Sequence, residues 1–356
     1  MRQHVRHAVG VSRWVFHLDL DQFIAAVEVL RHPELAGVPL VVGGDGDPTK
    51  RGVVSTASYE ARKFGIRSGM PLRTALRKCP EAVFLPVDAD TYLEASRGVM
   101  ETLRSFPAVV QVAGWDEAYM AAETDEPEEL AGEIQGAVLE RTGLWSTIGV
   151  GDNKLRAKIA SGFGKPRGVF VLTSSNWDEL MGGLTTDALH GIGRKTAAKL
   201  GALGIRTVAQ LEAADVETLA TRFGPSTGPR LRALATGEDP SQVTSEPHVA
   251  RGRGRERTFQ RDLTDLDEIR GEVARLAREV AEDLEKEGRP AIRVIVKVRF
   301  APFFTSTHGV PTDEPTSDPQ ALEAIALRAL ERFELDRPIR LLGVRAEMAD
   351  LPSPKR

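Results

Sequence analysis

Four acidic side chains give the first chemical signal. In "HLDLDQFIAAVE", Asp19 and Asp21 close an apolar run, and in "VAGWDEAYM", Asp116 and Glu117 follow a Gly-Trp pair. Carboxylates are hard oxygen ligands. Asp19, Asp116 and Glu117 on rigid elements suit two Mg²⁺ ions about 3.5–4 Å apart, the arrangement for in-line phosphoryl transfer. The backbone carbonyl of Leu20 is a further candidate ligand. One ion would activate an attacking hydroxyl while the other neutralises charge on the phosphates. Donors for a polyphosphate lie between and beyond the acids: Tyr59 and Arg62 in "STASYEARKFG", and Lys158 in "NKLRAKIA". Each motif alone has a plainer reading. "DLD" could end an exposed strand, "GWDE" could be an acidic turn, and Arg62 or Lys158 could lie on a solvated helix face. Their joint presence favours phosphoryl transfer.

The surrounding pattern supplies elements to hold these groups. "WVFHLDLD" alternates, with Trp14, Phe16, Leu18 and Leu20 on one face and His17, Asp19 and Asp21 on the other, so a strand presents both aspartates at its end. A helix begins at about Gln22, with Phe23, Val27 and Leu30 on one stripe. "GVPLVVGG" and "GVVSTAS" read as strands, "YEARKFG" and "GMPLRTALRKCP" as helices, and "AVVQVAGWDEAYMAAE" as a hairpin around Gly114-Trp115-Asp116. A helix, the strand "LWSTIGVG" and the basic helix "NKLRAKIASGFGKP" follow. The region is mixed α/β up to about Asn176.

From Trp177 to Gly237 the pattern is wholly helical. Two short helices there flank Gly191-Ile192-Gly193, the sequence form of a helix-hairpin-helix; its turn leaves backbone N–H groups for a phosphate, with Lys195 and Lys199 on the next helix. "FGPSTGPRLRALATG" is a weaker second copy. "EDPSQVTSEPHVARGRGRER" has linker composition, and its arginines, Arg253 and Arg255 among them, read equally as polyanion contacts or as flexible linker. A β-α-β-β-α-β order closes the chain. In its strand "AIRVIVKVRF", Ile292, Val294, Val296, Val298 and Phe300 are expected inward, and Arg293, Lys297 and Arg299 outward as a basic face.

Composition bounds the rest. A chain of 356 residues, 41% apolar and 28% charged, points to two to four modules with real cores. A net charge of −4 requires any basic surface to be local. A single cysteine, Cys79, excludes an internal disulfide and argues against a Cys-based zinc site. "MRQHVRHAVGVSRW" has no apolar run of signal-peptide length, and no later run would span a membrane, so an intracellular soluble protein is expected.

Five stretches, "HLDLDQFIAAVE", "STASYEARKFGIRSGMP", "VAGWDEAYM", "VGDNKLRAKIASGFGKPRG" and "LHGIGRKTAAKLGALGI", stand in the order of a Y-family DNA polymerase of the DNA polymerase IV (DinB) type. The resemblance runs from Trp14 to about Met348. It implies a multidomain α/β right-hand polymerase: palm at 1–22 and 89–177, fingers at 23–88, helical thumb at 178–240, linker at 241–251 and little finger at 252–350. It also implies template-directed, low-fidelity extension of a primer 3′-hydroxyl in an open site that tolerates damage.

On matching positions, Asp19, Asp116 and Glu117 become the catalytic metal ligands, with two Mg²⁺ ions or Mn²⁺ in their place. Asp21 matches a second acid of the first motif. Tyr59, Arg62 and Lys158, with Thr56, would hold the incoming triphosphate. Gly191, Gly193 and Lys195 fall in the thumb, and Arg293, Lys297 and Arg299 in the little finger, as DNA contacts beside Arg253 and Arg255. The implied partners are primer-template DNA and dNTPs, for a monomer in the bacterial cytosol or nucleoid.

One position departs from the family. Where an aromatic ring usually packs under the sugar and blocks a 2′-hydroxyl, this chain has Ile24. Helical geometry sets Ile24 about 100° around from Phe23, off the apolar stripe, so it is free to face a nucleotide. Weak discrimination against rNTPs is therefore expected. The tail "EMADLPSPKR" lacks a Gln-Leu-Phe-like peptide, so tethering to a sliding clamp through it is not expected. A non-catalytic DNA-binding scaffold would be expected to have lost the acids. A nucleotidyl cyclase would have no use for the helix-hairpin-helix or the terminal basic domain, and a plain DNA-binding module would have none for paired acids.

Overall fold

The computed structural model describes residues 12–350. Most of the N-terminal stretch and the end of the tail, on which the leader and clamp expectations rest, lie outside the described residues.

The chain divides into two compact units, one comprising the chain up to Val42, Ser55–Arg67 and Glu81–Pro247, the other Gly43–Val54, Ser68–Pro80 and the chain from His248. In chain order the elements begin with β1 (Arg13–Leu20), α1 (Phe23–Arg31), β2 (Leu40–Val42), β3 (Thr56–Ala57), α2 (Tyr59–Lys63), α3 (Leu72–Lys78) and β4 (Val83–Leu85). Next come α4 (Ala89–Arg104), β5 (Val109–Val112), β6 (Glu117–Glu123), α5 (Pro127–Thr142), β7 (Ser146–Gly151), α6 (Lys154–Gly164) and β8 (Val169–Leu172).

In the first unit β1 is the middle strand of a sheet ordered β5-β6-β1-β7-β8, antiparallel to both neighbours. Its alternation buries Phe16, Leu18 and Leu20 in one core with Val99, Met100 and Leu103 of α4 and Ile134 and Val138 of α5. The polar face is covered too. Gly149 and Gly151 of β7 let α6 lie against the sheet, for a Cβ on Gly149 would meet the Ala157 carbonyl oxygen at 2.1 Å. The expected hairpin is β5–β6, closed by Gly114 N–H donating to the Glu117 carbonyl at 3.0 Å. A smaller sheet is ordered β3-β2-β4; the strand expected over "GVVSTAS" shrinks to Thr56–Ala57.

The α1 stripe differs from expectation. Leu30 is 50% exposed, and Glu28 is buried beside Phe23 and Val27. A buried carboxylate needs partners, and Glu28 has them in the Tyr92 hydroxyl and the Arg31 guanidinium.

The helical run holds α7 (Trp177–Met181), α8 (Arg194–Gly201), α9 (Val208–Glu212), α10 (Val216–Phe223) and α11 (Thr227–Ala235). The helix expected before Gly191 is only a 3₁₀ turn, Thr186–Ala188. There Thr186 N–H donates to Arg206 and Thr185 bridges Thr207, so the segment pairs laterally and does not coil further.

The second unit contains α3 and β9 (Gly252–Leu263), α12 (Leu266–Glu287), β10 (Ala291–Phe300), β11 (Phe304–Thr316), α13 (Pro319–Leu330) and β12 (Ile339–Met348). The β-α-β-β-α-β order thus holds, with a sheet ordered β11-β10-β12-β9 and both long helices packed on it. Two expectations are corrected. Arg253 and Arg255 belong to β9, not to a flexible linker. Ile292 is exposed, because a bulge between Ala291 and Arg293 gives Ala291 the inward slot.

Candidate active site

The register of β1 on β6 sets Asp19 opposite Glu117, and Leu20 N–H donates to the Asp116 carbonyl at 2.8 Å. All three expected acids therefore stand at one end of two central strands, with the Leu20 backbone against Asp116. Lys158, on α6, is ion-paired with Glu117 and 3.8 Å from Asp19. Lys165, just past α6, pairs with Asp19 and lies 3.9 Å from Asp21. Beneath them His17 is fully buried, its Nε2 3.4 Å from Glu117 and 3.2 Å from the Lys158 ammonium, its Nδ1 2.9 Å from the Ser161 hydroxyl.

Charge is unevenly balanced among the acids. Hydrogen bonding from His17, and then from Lys158, holds the Glu117 carboxyl down at about 2 against its partial burial. Burial, and then the charge of Asp19, push the Asp116 carboxyl above its usual range. Burial also lowers the His17 pKa, which favours a neutral ring.

Asp21 has a different situation. It is 3% exposed, and its carboxylate accepts from the Tyr59 hydroxyl at 2.9 Å, the Thr147 hydroxyl at 3.0 Å and Arg167 N–H at 2.8 Å. The two non-glycine residues with positive φ among the described residues, Gln22 (45°) and Arg167 (61°), are the next residue and a direct partner. Left-handed backbone is costly for such residues and persists only where the surroundings hold it. Here the Gln22 side chain accepts from Tyr59 N–H at 2.6 Å, tying the start of α2 to the end of β1. Arg62 donates to the Ala57 carbonyl at 2.9 Å and lies 4.9 Å over the Tyr59 ring. Thr56 pairs with Val42 in the small sheet. Tyr59 is thus joined to the β1 end through Asp21 and Gln22, while the acids meet Lys158 and Lys165.

These residues suit divalent cations by donor chemistry. Three hard carboxylates stand at one end of β1 and β6, and burial, followed by the charge of Asp19, raises the Asp116 carboxyl pKa. As they stand, two acids are neutralised by lysine ammonium groups, and among the described residues no three His, Cys, Asp or Glu side chains are gathered as a ready ligand set.

Ile24 is half-buried at the margin of the β1 core. Gly191 takes a φ of 99° and Gly193 caps α8, with Lys195 exposed on its first turn. In the second unit the basic residues are mostly paired. Arg253 meets Glu287, Arg255 meets Asp283 at 2.7 Å and Lys297 meets Glu256, while Arg299 donates to Thr305 at 2.9 Å and Arg293 is exposed. Sequence reasoning missed His17, Lys165, Thr147 and Arg167. The only sequence signal for them was the "GKPRG" that ends the basic-helix stretch and the histidine on the polar face of β1.

The impB/mucB/samB family matches residues 18–162, its C-terminal domain matches 251–353, and the thumb domain of DNA polymerase-iota matches 187–239. DNA polymerase IV 2 of Mycobacterium tuberculosis is 49% identical over 344 residues, 96% of this chain and 99% of the relative. DNA polymerase IV of Methanoculleus marisnigri is 38% identical, covering 95% of each chain. Among solved structures, a Y-family DNA polymerase chimera superposes with a TM-score of 0.83 at 28% identity, over 94% of this chain and 98% of the other. The crystal structure of DinB from Sulfolobus solfataricus gives 0.63 at 28% identity, with the same coverages.

Proposed function

This chain belongs to the Y-family DNA polymerases of the DNA polymerase IV type, DNA-directed enzymes of translesion synthesis with a right-hand architecture, and from that premise we propose how its residues act. Its substrates are DNA and dNTPs, and no described helix is long and apolar enough to cross a membrane. Enzymes of this family depend on divalent metal. Asp19, Asp116 and Glu117, with the Leu20 carbonyl, would hold two Mg²⁺ or Mn²⁺ ions, which supply Lewis acidity to the primer hydroxyl and the phosphates.

The protein's own groups do the positioning. Lys158 leaves Glu117 for the triphosphate, joined there by Tyr59, Arg62 and Thr56. Lys165 screens Asp19 until nucleotide arrives. Asp21 holds Tyr59 and Arg167 in place. Gly191, Gly193 and Lys195 contact a backbone phosphate, as does the basic face of Arg293, Lys297 and Arg299, and the palm, fingers, thumb and little finger keep the bounds given above. For Arg253 and Arg255 the carboxylates of α12 compete with DNA.

Ile24 stands where the family carries an aromatic sugar gate. An aliphatic side chain rejects an added hydroxyl weakly, so rNTPs enter alongside dNTPs. The placing of Asp19, Asp116 and Glu117 at one end of β1 and β6, with Lys158 beside Glu117, carries this reading. Its test is extension of a primed template with dNTPs or rNTPs, in Mg²⁺ and Mn²⁺, beside Asp116→Ala. Extension that survives the substitution, or needs no metal, would sink the mechanism. Extension with dNTPs alone would discard only the sugar reading.

A further inference from the structure

The turn from β10 to β11 in the second unit carries two phenylalanines that packing does not explain. Phe303 is 64% exposed and Phe304 55%. The guanidinium of Arg340 lies 4.8 Å over the Phe303 ring, and that of Arg337 lies 4.7 Å over Phe304 and 4.6 Å over Phe300. Phe300 and Phe304 stack with centroids 6.2 Å apart.

Positive charge crowds the same place. Burial, and then the neighbouring charges of Arg51, Arg299 and Arg73, depress the Arg340 pKa, with Asp262 acting against them. Asp262 is already engaged by Arg51, and the other nearby acid, Asp336, lies 3.6 Å from Arg337. Arg51 is fixed there by its own backbone, whose N–H donates to Gln260 at 2.7 Å and whose carbonyl accepts from it at 3.0 Å. Among the described residues, Arg73 and Arg299 have neutral partners only, the Thr49 carbonyl and the Thr305 hydroxyl.

A partner for this surface must offer negative charge and flat aromatic faces together. Duplex DNA offers the charge but hides its base faces in the stack. A single strand offers both, since stacking on aromatic side chains beside a basic groove is how proteins hold unpaired bases without reading sequence. We propose that the β10–β11 tip is a single-strand platform, where Phe303 and Phe304 stack unpaired template bases and Arg299, Arg337 and Arg340 neutralise the flanking phosphates. This rests on the polymerase reading for the source of the strand, but not for the binding itself.

The test uses the full chain and a dT oligonucleotide containing one 2-aminopurine, whose fluorescence is quenched by stacking. Affinity and its salt dependence are measured for wild type, Phe303→Ala/Phe304→Ala, Phe303→Trp/Phe304→Trp and Arg340→Gln, with a blunt duplex alongside. The Ala pair should weaken single-strand binding by about tenfold and lose the quench, and the Trp pair should keep both. Arg340→Gln should reduce the salt slope by about 0.7. Unchanged single-strand affinity and quench in the Ala pair would overturn the proposal and leave the tip as a protein-docking surface. An equal loss on blunt duplex would overturn it as well. A wild-type chain that binds the oligonucleotide yet fails to extend a primer would sink the polymerase chemistry and leave this proposal standing.

Discussion

The Tyr59 hydroxyl donates to Asp21 at 2.9 Å, so the acid two residues beyond Asp19 holds the first residue of α2 in place and its oxygens are spent on Tyr59, Thr147 and Arg167. The two aspartates of one short motif do different work: Asp19 faces Glu117 and the lysines, and Asp21 braces the junction of β1 and α2.

Asp21→Ala should therefore act on stability as well as on nucleotide affinity. It strips the Asp21 carboxylate from the Tyr59 and Thr147 hydroxyls and leaves the Arg167 N–H only the Thr147 hydroxyl at 2.9 Å, and a buried polar group left unpaired costs roughly 1–3 kcal/mol. A Tm lowered by several degrees, with KM for dNTP raised, is the expected pair of results. Thermal melting and steady-state extension would measure them, and an unchanged Tm would sink the bracing role.

Asp116 and Glu117 should give opposite pH signatures in metal-free protein. The raised folded pKa of Asp116 means the native state holds its proton more tightly, so its contribution falls as pH rises above the ordinary value of 3.8. Asp116→Asn should be at least as stable as the parent at neutral pH while losing extension. Glu117, held at about 2, stabilises the fold above its ordinary value of 4.5 and loses that contribution as pH falls towards 2. Urea midpoints across that range should converge for wild type and Glu117→Gln at the acid end.

Ile24→Phe should raise the preference for dNTP over rNTP, measured as the ratio of kcat/KM, by about a hundredfold. An unchanged ratio would move the discrimination to another residue.

Gly149→Ala tests the seating of α6. Its new Cβ would sit 2.1 Å from the Ala157 carbonyl oxygen and 2.2 Å from Ser161 nitrogen, both backbone atoms that cannot swing aside. A loss of about 1–3 kcal/mol is expected from forced backbone shifts. Chemical denaturation would read it, and wild-type stability would show that α6 tolerates displacement.

Much of this site was legible before the fold. Alternation in β1 placed Asp19, the Gly-Trp turn placed Asp116 and Glu117, and the basic helix placed Lys158. His17 and Lys165 were not, since their partners, Glu117 for one and Asp19 for the other, lie 100 residues or more along the chain (17 to 117; 165 to 19), and the register of β1 on β6 brings the first pair close while the seating of α6 on the sheet brings the second. Leu30 and Ile292 misled because periodicity knows nothing of a carboxylate satisfied by Tyr92 or of a bulge at Ala291.

The arginines of β9 have a further effect that has nothing to do with DNA. β9 is an outer strand of its sheet, and Arg253, Arg255, Arg257 and Arg261 reach to Glu287, Asp283, Glu272 and Glu268 along α12. An outer strand with unpaired backbone groups invites another chain to add to it, and a row of charged side chains blocks that approach. The same ion pairs that withdraw these arginines from a polyanion also guard the sheet against aggregation, so replacing them with apolar residues would trade a dispersed protein for one that self-associates through this margin.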